Sequence, residues 1–213
     1  MKFINQNFEI LYITPNALKL IEKIGRTCYK SYDKITNESA EKFIKGLIKR
    51  KHTAMIEFAD MTVKCITDRS VSHELVRHRI CSFAQESQRY IKYKNIEYIL
   101  PPWLSTYYLG EWSFDKLANE KLPYDHELFI NSLMSCELVY QELIKHDWEP
   151  EKARKILPNS TATEIVIKTN FREWLHIFDL RAKGTTGRPD PTIQILITGI
   201  LHAAIKHYPG IFE

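Results

Sequence analysis

Residues 15 to 31 place Ala17, Leu18, Leu20, Ile21 and Ile24 at helical spacing behind Pro15, and residues 37 to 51 repeat the pattern with Phe43, Ile44, Leu47 and Ile48. Two amphipathic helices are therefore expected to open the domain. From Ala54 to Ile66 the period shortens: Met55, Met61, Val63 and Cys65 stand at roughly alternating positions, which predicts a strand ending before Asp68. Asp68 suits a helix N-cap, so a helix is expected from Asp68 to Arg79, with Val71, Leu75 and His78 near one face. The aromatic stretch from Ile96 to Asp125 mixes Pro and Gly without a sustained period and is expected to be mostly irregular, with one short strand. A long helix should follow from Asp125 to His146, where Leu128, Leu133, Cys136, Val139 and Leu143 recur three to five apart, and Pro150 should start a short one. Thr161 to Thr169 alternates as a half-buried strand does, with Thr163, Ile165 and Ile167 on one side and Ala162, Glu164, Val166 and Lys168 on the other. Asn170 then caps a helix, with Glu173 at capping-box spacing. A last helix opens at Asp190-Pro191 and runs through Ile193, Leu196, Ile197, Ile200, Leu201 and Ala204 toward Pro209.

This order lacks the strand–helix alternation of a doubly wound sheet, and neither G-x-G-x-x-G nor G-x-x-x-x-G-K occurs. The expected class is α+β: a helix-rich single domain over residues 1–213, with a small, mostly antiparallel sheet flanked by helices. A chain of 213 residues with 44% apolar content can bury a core of that size. Any nucleotide phosphate it binds must be met by side chains, because no glycine-lined cradle is present.

Charge sharpens that point. The formal net charge is only +4, too modest for a protein that coats nucleic acid but compatible with small anionic substrates. It is concentrated, since Arg69, Arg77, Arg79, Arg89, Lys92 and Lys94 face only Glu74 and Glu86 within one 26-residue window. The four cysteines, Cys28, Cys65, Cys81 and Cys136, are scattered without a C-x-x-C pair, as expected of a reduced cytoplasmic protein. The amino-terminal segment breaks every apolar run with polar residues, so neither a secretory signal nor a membrane anchor is expected there.

The chemistry is concentrated between Arg77 and Tyr90, where three guanidiniums, an imidazole and two serine hydroxyls share 14 residues. A guanidinium presents a planar fork that matches phosphate oxygens, and several converging can hold a mono- or diphosphate without a metal. A solvated basic face is the plainer account of such a run. Its spacing argues otherwise, because Arg77 and Arg79 flank a histidine for no helical or strand reason.

The run R-H-R, seven residues, then S-x-R resembles the signature of the flavin-dependent thymidylate synthases at Arg77, His78, Arg79, Ser87 and Arg89. The resemblance extends to His52-Thr53-Ala54-Met55-Ile56-Glu57-Phe58, to Cys28-Tyr29-Lys30-Ser31, to Ala153-Arg154-Lys155-Ile156-Leu157-Pro158, and to Asn170 through Ala182. It implies an FAD-dependent methyltransferase that converts dUMP to dTMP, with methylenetetrahydrofolate as carbon donor and NADPH as reductant. It implies a homotetramer with sites between subunits, and no metal, membrane or nucleic-acid partner. Carried over residue by residue, it assigns Ser31, His52, Glu57, Arg77, His78, Arg79, Asn170 and His176 to FAD. It assigns Glu74, Arg77, Gln85, Ser87, Arg89, Arg154 and Arg181 to dUMP, with His52 and Arg181 as the catalytic pair. Asn170 also has a local duty as a helix cap, and His176 could equally be a packed core residue. Glu74 departs from the family, standing where many relatives carry glutamine, and a carboxylate beside phosphate would repel it.

Two other classes compete. A non-enzymatic binder of single-stranded nucleic acid would use the same cations together with Tyr90, Tyr93, Trp103, Tyr107 and Tyr108 as stacking groups. A metal-dependent hydrolase would need His52, His73 and His78, but their spacing fits no ligand pattern.

Overall fold

The computed structural model describes all residues from Met1 to Glu213. In chain order the elements are β1 (Lys2–Ile4), β2 (Asn7–Ile13), α1 (Ala17–Thr27), α2 (Ser39–Lys49), β3 (Asp60–Asp68), α3 (Arg69–Leu75), β4 (Ser82–Gln85), β5 (Glu97–Ile99), β6 (Gly110–Glu111), α4 (Phe114–Asn119), α5 (Tyr124–Lys145), α6 (Pro150–Ala153), β7 (Ala162–Asn170), α7 (Phe171–Arg181), α8 (Pro191–His207) and α9 (Pro209–Phe212). The fold is α+β and helix-rich. One sheet has three strands in the order β5-β1-β6, parallel between β1 and β5 and antiparallel between β1 and β6. The other has four strands, ordered β2-β3-β7-β4. No helix is long and apolar enough to cross a membrane.

Two compact units emerge. The first comprises residues 1–7, 65–75 and 84–165. Its core is aromatic-rich: Phe3, Tyr98, Trp112 and Tyr140 are buried with Ile96, Leu104, Ile130 and Leu133, largely from the stretch between Ile96 and Asp125 and from α5. That stretch is more ordered than its composition predicts. It carries β5, β6, a 3₁₀ turn at Thr106–Tyr108 and α4, whose first turn is capped by Ser113 accepting from the Lys116 amide at 3.1 Å. Tyr98 and Trp112 explain the order: each buries its ring and finds a backbone carbonyl for its polar atom, Leu133 O at 3.2 Å and Tyr108 O at 2.7 Å.

The second unit comprises residues 8–64, 76–83 and 166–213. Helix α1 packs on α2, and α7 on α8, burying Ile21, Ile44, Trp174, Ile177, Ile193 and Ile197. Phe171, Phe178 and Phe212 stack edge-on at centroid separations of 5.0 and 5.7 Å and pin α9 to the start and end of α7.

Three local expectations fail for identifiable reasons. Strands β1 and β2 precede the two opening helices; β2 has no buried residue and leaves Leu11 and Tyr12 exposed, so no clean alternation marks it. The strand expected from Ala54 begins only at Asp60, because Thr53–Phe58 winds as a 3₁₀ turn that buries Ile56 alone. Helix α3 ends at Leu75 and not at Arg79; the chain turns after it, and the Cys81 amide closes on His78 O at 3.2 Å before β4. The R-H-R triplet is therefore a turn, not a helix end.

Candidate active site

Of the signature residues, Arg77, His78 and Arg79 belong to the second unit, whereas Ser87 and Arg89 belong to the first. Within the second unit, the R-H-R turn presents its members unequally: Arg77 and Arg79 are exposed, and His78 is only 6% exposed. The buried imidazole meets helix α7. Its Nδ1 lies 3.5 Å from Glu173 Oε1, its Nε2 accepts from Arg181 Nε at 3.4 Å, and its ring stands edge-on to His176 at 6.0 Å. Burial, then the positive charge of Arg181, then His176, lowers the His78 pKa to about 4, so it is neutral at physiological pH. Burial also raises the Glu173 pKa above the ordinary carboxylate range, opposed by His176.

Helix α7 sets this cluster up from its first turn. Asn170 Oδ1 accepts from the Glu173 amide at 2.9 Å, confirming the cap. The expected reciprocal half of the capping box is replaced, since the Glu173 carboxylate faces His78. Glu173, Ile177 and Arg181 follow at four-residue intervals, so one helix face carries the acid and the guanidinium to the same imidazole. Glu173, His78 and His176 bring ligand atoms within 4.8 Å of one another, a spacing a metal ion could use. The guanidinium contacting His78 works against a divalent cation there. Glu173 was legible only as a cap; the overlooked signal is its helical phase with Arg181.

Two cavities in the same unit gather the other residues assigned to FAD. One of about 470 Å³ is lined by Ser31 and His52 together with Arg26, Lys34, Arg50 and Phe43. A second of about 730 Å³ is lined by Glu57, Asn170 and His176, with Thr53, Leu175 and Lys183. His176 is exposed, so it is not a core residue. Glu57 is held at the surface by an ion pair with Arg172 at 2.5 Å. Both cavities have the size of small-molecule sites; the first combines cations with apolar walls, the donor set that a diphosphate requires, whereas the second sets Glu57, Glu173, Asp179 and Glu213 against Lys51, Arg172 and Lys183.

In the first unit, Arg89 contacts Glu151 at 3.5 Å, and Glu151 and Arg154 both line a cavity of about 550 Å³ with Val139, Leu143 and Trp148. Arg154 lines this concavity itself, whereas Arg89 is linked to it only through Glu151. Ser87 Oγ accepts from the Arg89 amide at 3.4 Å and steadies that turn. Gln85 is half-buried, its amide nitrogen donating to Ser72 Oγ at 3.0 Å and Thr163 Oγ1 at 3.3 Å, which leaves its carbonyl oxygen as the free end. Glu74 is half-buried on α3. Between Ser87 and Arg89, Gln88 is only 7% exposed, and its side chain reaches the Tyr93 hydroxyl. No sequence pattern singles it out.

All four cysteines are free, and burial pushes Cys65 up to about 12 and Cys81, inside the signature, up to about 11, so neither is a thiolate at neutral pH.

The family model described as thymidylate synthase complementing protein matches residues 9–210. The chain belongs to the flavin-dependent thymidylate synthases. Among its relatives, the flavin-dependent thymidylate synthase of Corynebacterium efficiens is 32% identical over 92% of this chain and 78% of its own length. That of Clostridium tetani is 28% identical over 96% of this chain and 84% of its own. The UMP/dUMP methylase PolB from Streptomyces cacaoi, solved with 5-Br dUMP, has the same fold, with a TM-score of 0.81 at 21% identity over 100% of this chain and 95% of that one. In this flavin-dependent thymidylate synthase Arg77, Arg79 and Arg89 are all exposed on the single chain.

Proposed function

We propose that this enzyme converts dUMP to dTMP by reductive methylation, with methylenetetrahydrofolate supplying the carbon, NADPH the electrons and FAD the redox cofactor. The observation that carries the proposal is the R-H-R/S-x-R set, Arg77, His78, Arg79, Ser87 and Arg89, within a family match spanning residues 9–210. The PolB neighbour, a UMP/dUMP methylase solved with 5-Br dUMP, supports a uridylate substrate.

The chain's own work is positioning and electrostatics. Bound FAD supplies the hydride chemistry that no side chain can. Ser31, His52, Glu57, Asn170 and His176, with Arg77 and Arg79, hold it. Arg89 and Arg154 grip the dUMP phosphate, Ser87 and the Gln85 carbonyl orient the nucleotide, and Arg181 stabilises negative charge as it develops on the uracil. Glu74 belongs to the same substrate set, where its carboxylate would oppose the phosphate and weaken the grip. The neutral His78 is not a proton donor at physiological pH. Residues 1–213 act as one functional domain, and chains assemble as a homotetramer so that neighbouring subunits close each site. Four free cysteines suit a reducing cytoplasm.

Purified protein should show a flavin absorption band, and Arg89→Ala should remove dUMP binding while leaving that band in place. Normal dUMP affinity in Arg89→Ala overturns the assignment of Arg89. Salt-sensitive binding to long single strands, with no preference for the free monophosphate, overturns the enzyme reading itself.

A further inference from the structure

We infer that the buried Ser72 hydroxyl is a positioning group that decides which end of the Gln85 amide meets dUMP, so that the site offers a carbonyl acceptor in place of an amide donor. The inference rests on the proposal that Gln85 serves dUMP, and adds what turns its side chain the right way round.

An amide side chain has two ends of nearly equal shape and opposite hydrogen-bonding sense, so its neighbours decide which end faces a ligand. Gln85 is the last residue of β4, where Phe83 and Gln85 are half-buried and Ser82 and Ala84 exposed. Its side chain meets two buried hydroxyls of the same unit, Ser72 on α3 and Thr163 on the neighbouring strand β7, 0% and 1% exposed. Ser72 Oγ donates to Arg69 O at 2.9 Å, one turn back along α3. A hydroxyl has one proton. With that proton committed, Ser72 Oγ offers Gln85 only lone pairs, so the amide nitrogen must be the end that approaches it, as it does at 3.0 Å. Thr163 Oγ1 accepts the second N–H at 3.3 Å. Thr163 satisfies the amide but does not decide its sense, because its own proton is not committed elsewhere and its hydroxyl could serve either end. Burial of both hydroxyls keeps out the water that would otherwise substitute for either.

The carbonyl oxygen of Gln85 accepts from no group in the chain and is the end left for a ligand. A carbonyl takes only a donor, and dUMP has two to offer, the uracil N3–H and the 3′-hydroxyl. A flipped amide would put two N–H groups in that place, opposing the imide and turning the hydroxyl around. Holding the amide one way before the nucleotide arrives also removes a rotamer that binding would otherwise have to freeze. Neither Ser72 nor Thr163 lies in the segments that carry the family resemblance, which assign Gln85 but not what orients it.

The test is calorimetric titration of dUMP into the purified flavin-loaded enzyme, with wild type, Ser72→Ala, Thr163→Val, Gln85→Ala and the double variant Ser72→Ala/Gln85→Ala. Ser72→Ala leaves only the Thr163 hydroxyl, which holds either end, so dUMP binding should weaken by about fivefold, the scale of one neutral hydrogen bond. Thr163→Val keeps the shape and leaves the committed hydroxyl in place, and its affinity should stay within about twofold of wild type. In the Gln85→Ala background Ser72→Ala should cost nothing more, a dependence that loosened packing around α3 would not show. Repeating the Ser72→Ala comparison with 2′,3′-dideoxyuridine monophosphate identifies the donor: a cost that persists assigns the uracil N3–H, one that vanishes assigns the hydroxyl, and either upholds the orienting role. If Gln85→Ala weakens binding but Ser72→Ala does not, if Thr163→Val costs as much as Ser72→Ala, or if Ser72→Ala costs the same with and without Gln85, the role of Ser72 is overturned while that of Gln85 survives. If Gln85→Ala binds dUMP normally, the underlying assignment of Gln85 falls instead. Should Ser72→Ala fail to retain flavin, Ser72→Cys carries the same cycle, since its thiol fills the space but is a weak acceptor.

Discussion

His78 ties the site to pH through its burial. In the unfolded chain its imidazole titrates near 6.5, whereas in the native protein burial, Arg181 and His176 hold it neutral down to about 4. Its folded pKa is depressed, so as pH falls below about 6.5 the unfolded chain takes up a proton that the native state refuses. The native state should lose stability between pH 6.5 and 4, and nothing should be lost above that window from this group. Melting temperatures of wild type and His78→Gln, measured at intervals from pH 7.5 to 4.5, isolate the effect from that of the carboxylates: the wild-type decline should be the steeper. Parallel declines would show that His78 is protonated in the native state. At neutral pH, Cys65 and Cys81, with thiols pushed up to about 12 and about 11, should resist iodoacetamide in the folded protein while exposed Cys28 is alkylated, which peptide mass spectrometry resolves. Labelling of Cys81 as fast as Cys28 would contradict the environment described for the R-H-R turn.

Among the elements, those with chemical punctuation at their ends were legible from the sequence. Helix α8 begins where Asp190-Pro191 says it should, with Asp190 Oδ1 accepting from the Thr192 amide at 2.8 Å and the Ile193 amide at 3.3 Å. Asp190→Ala should therefore cost about 1 kcal/mol and lower the melting temperature by a few degrees, with flavin content unchanged. A melt indistinguishable from wild type would mean that packing alone positions α8. Asn170 on α7 and Asp68 on α3 were legible for the same reason, the latter accepting from the Val71 amide at 2.8 Å. Elements whose signal is burial alone were not. Strand β2 buries no residue, so alternation cannot mark it; Thr53–Phe58 hides one apolar side chain, too few to declare a period. The helical pattern runs past the true end of α3 because His78 has the right phase to continue the helix, yet its burial is achieved from a turn. Burial and helical phase coincide there, and the sequence carries only their sum.

For the molecule as a whole, the sequence singles out candidate residues but not their arrangement. The R-H-R/S-x-R spacing names five side chains, but it does not say that one of them, His78, is buried against α7 while Arg77, Arg79 and Arg89 stay open to solvent. That difference is set by tertiary burial, which no local spacing encodes. The proposed homotetramer, in which a neighbouring chain completes each site, can be tested directly. His52→Ala and Arg89→Ala should each abolish dTMP formation, the first through the flavin and the second through dUMP. If a site takes its flavin-side residue from one chain and its phosphate-side residue from another, mixed tetramers of the two variants contain some sites with both residues intact. Random assembly of equal amounts makes about one such site in four, so activity should recover to about a quarter of wild type. Partial denaturation and joint refolding, with differently tagged chains to confirm mixing by tandem purification, provides the sample. Mixed tetramers that stay inactive would place His52 and Arg89 of a single chain in the same site, and each subunit would then hold its flavin and its nucleotide alone.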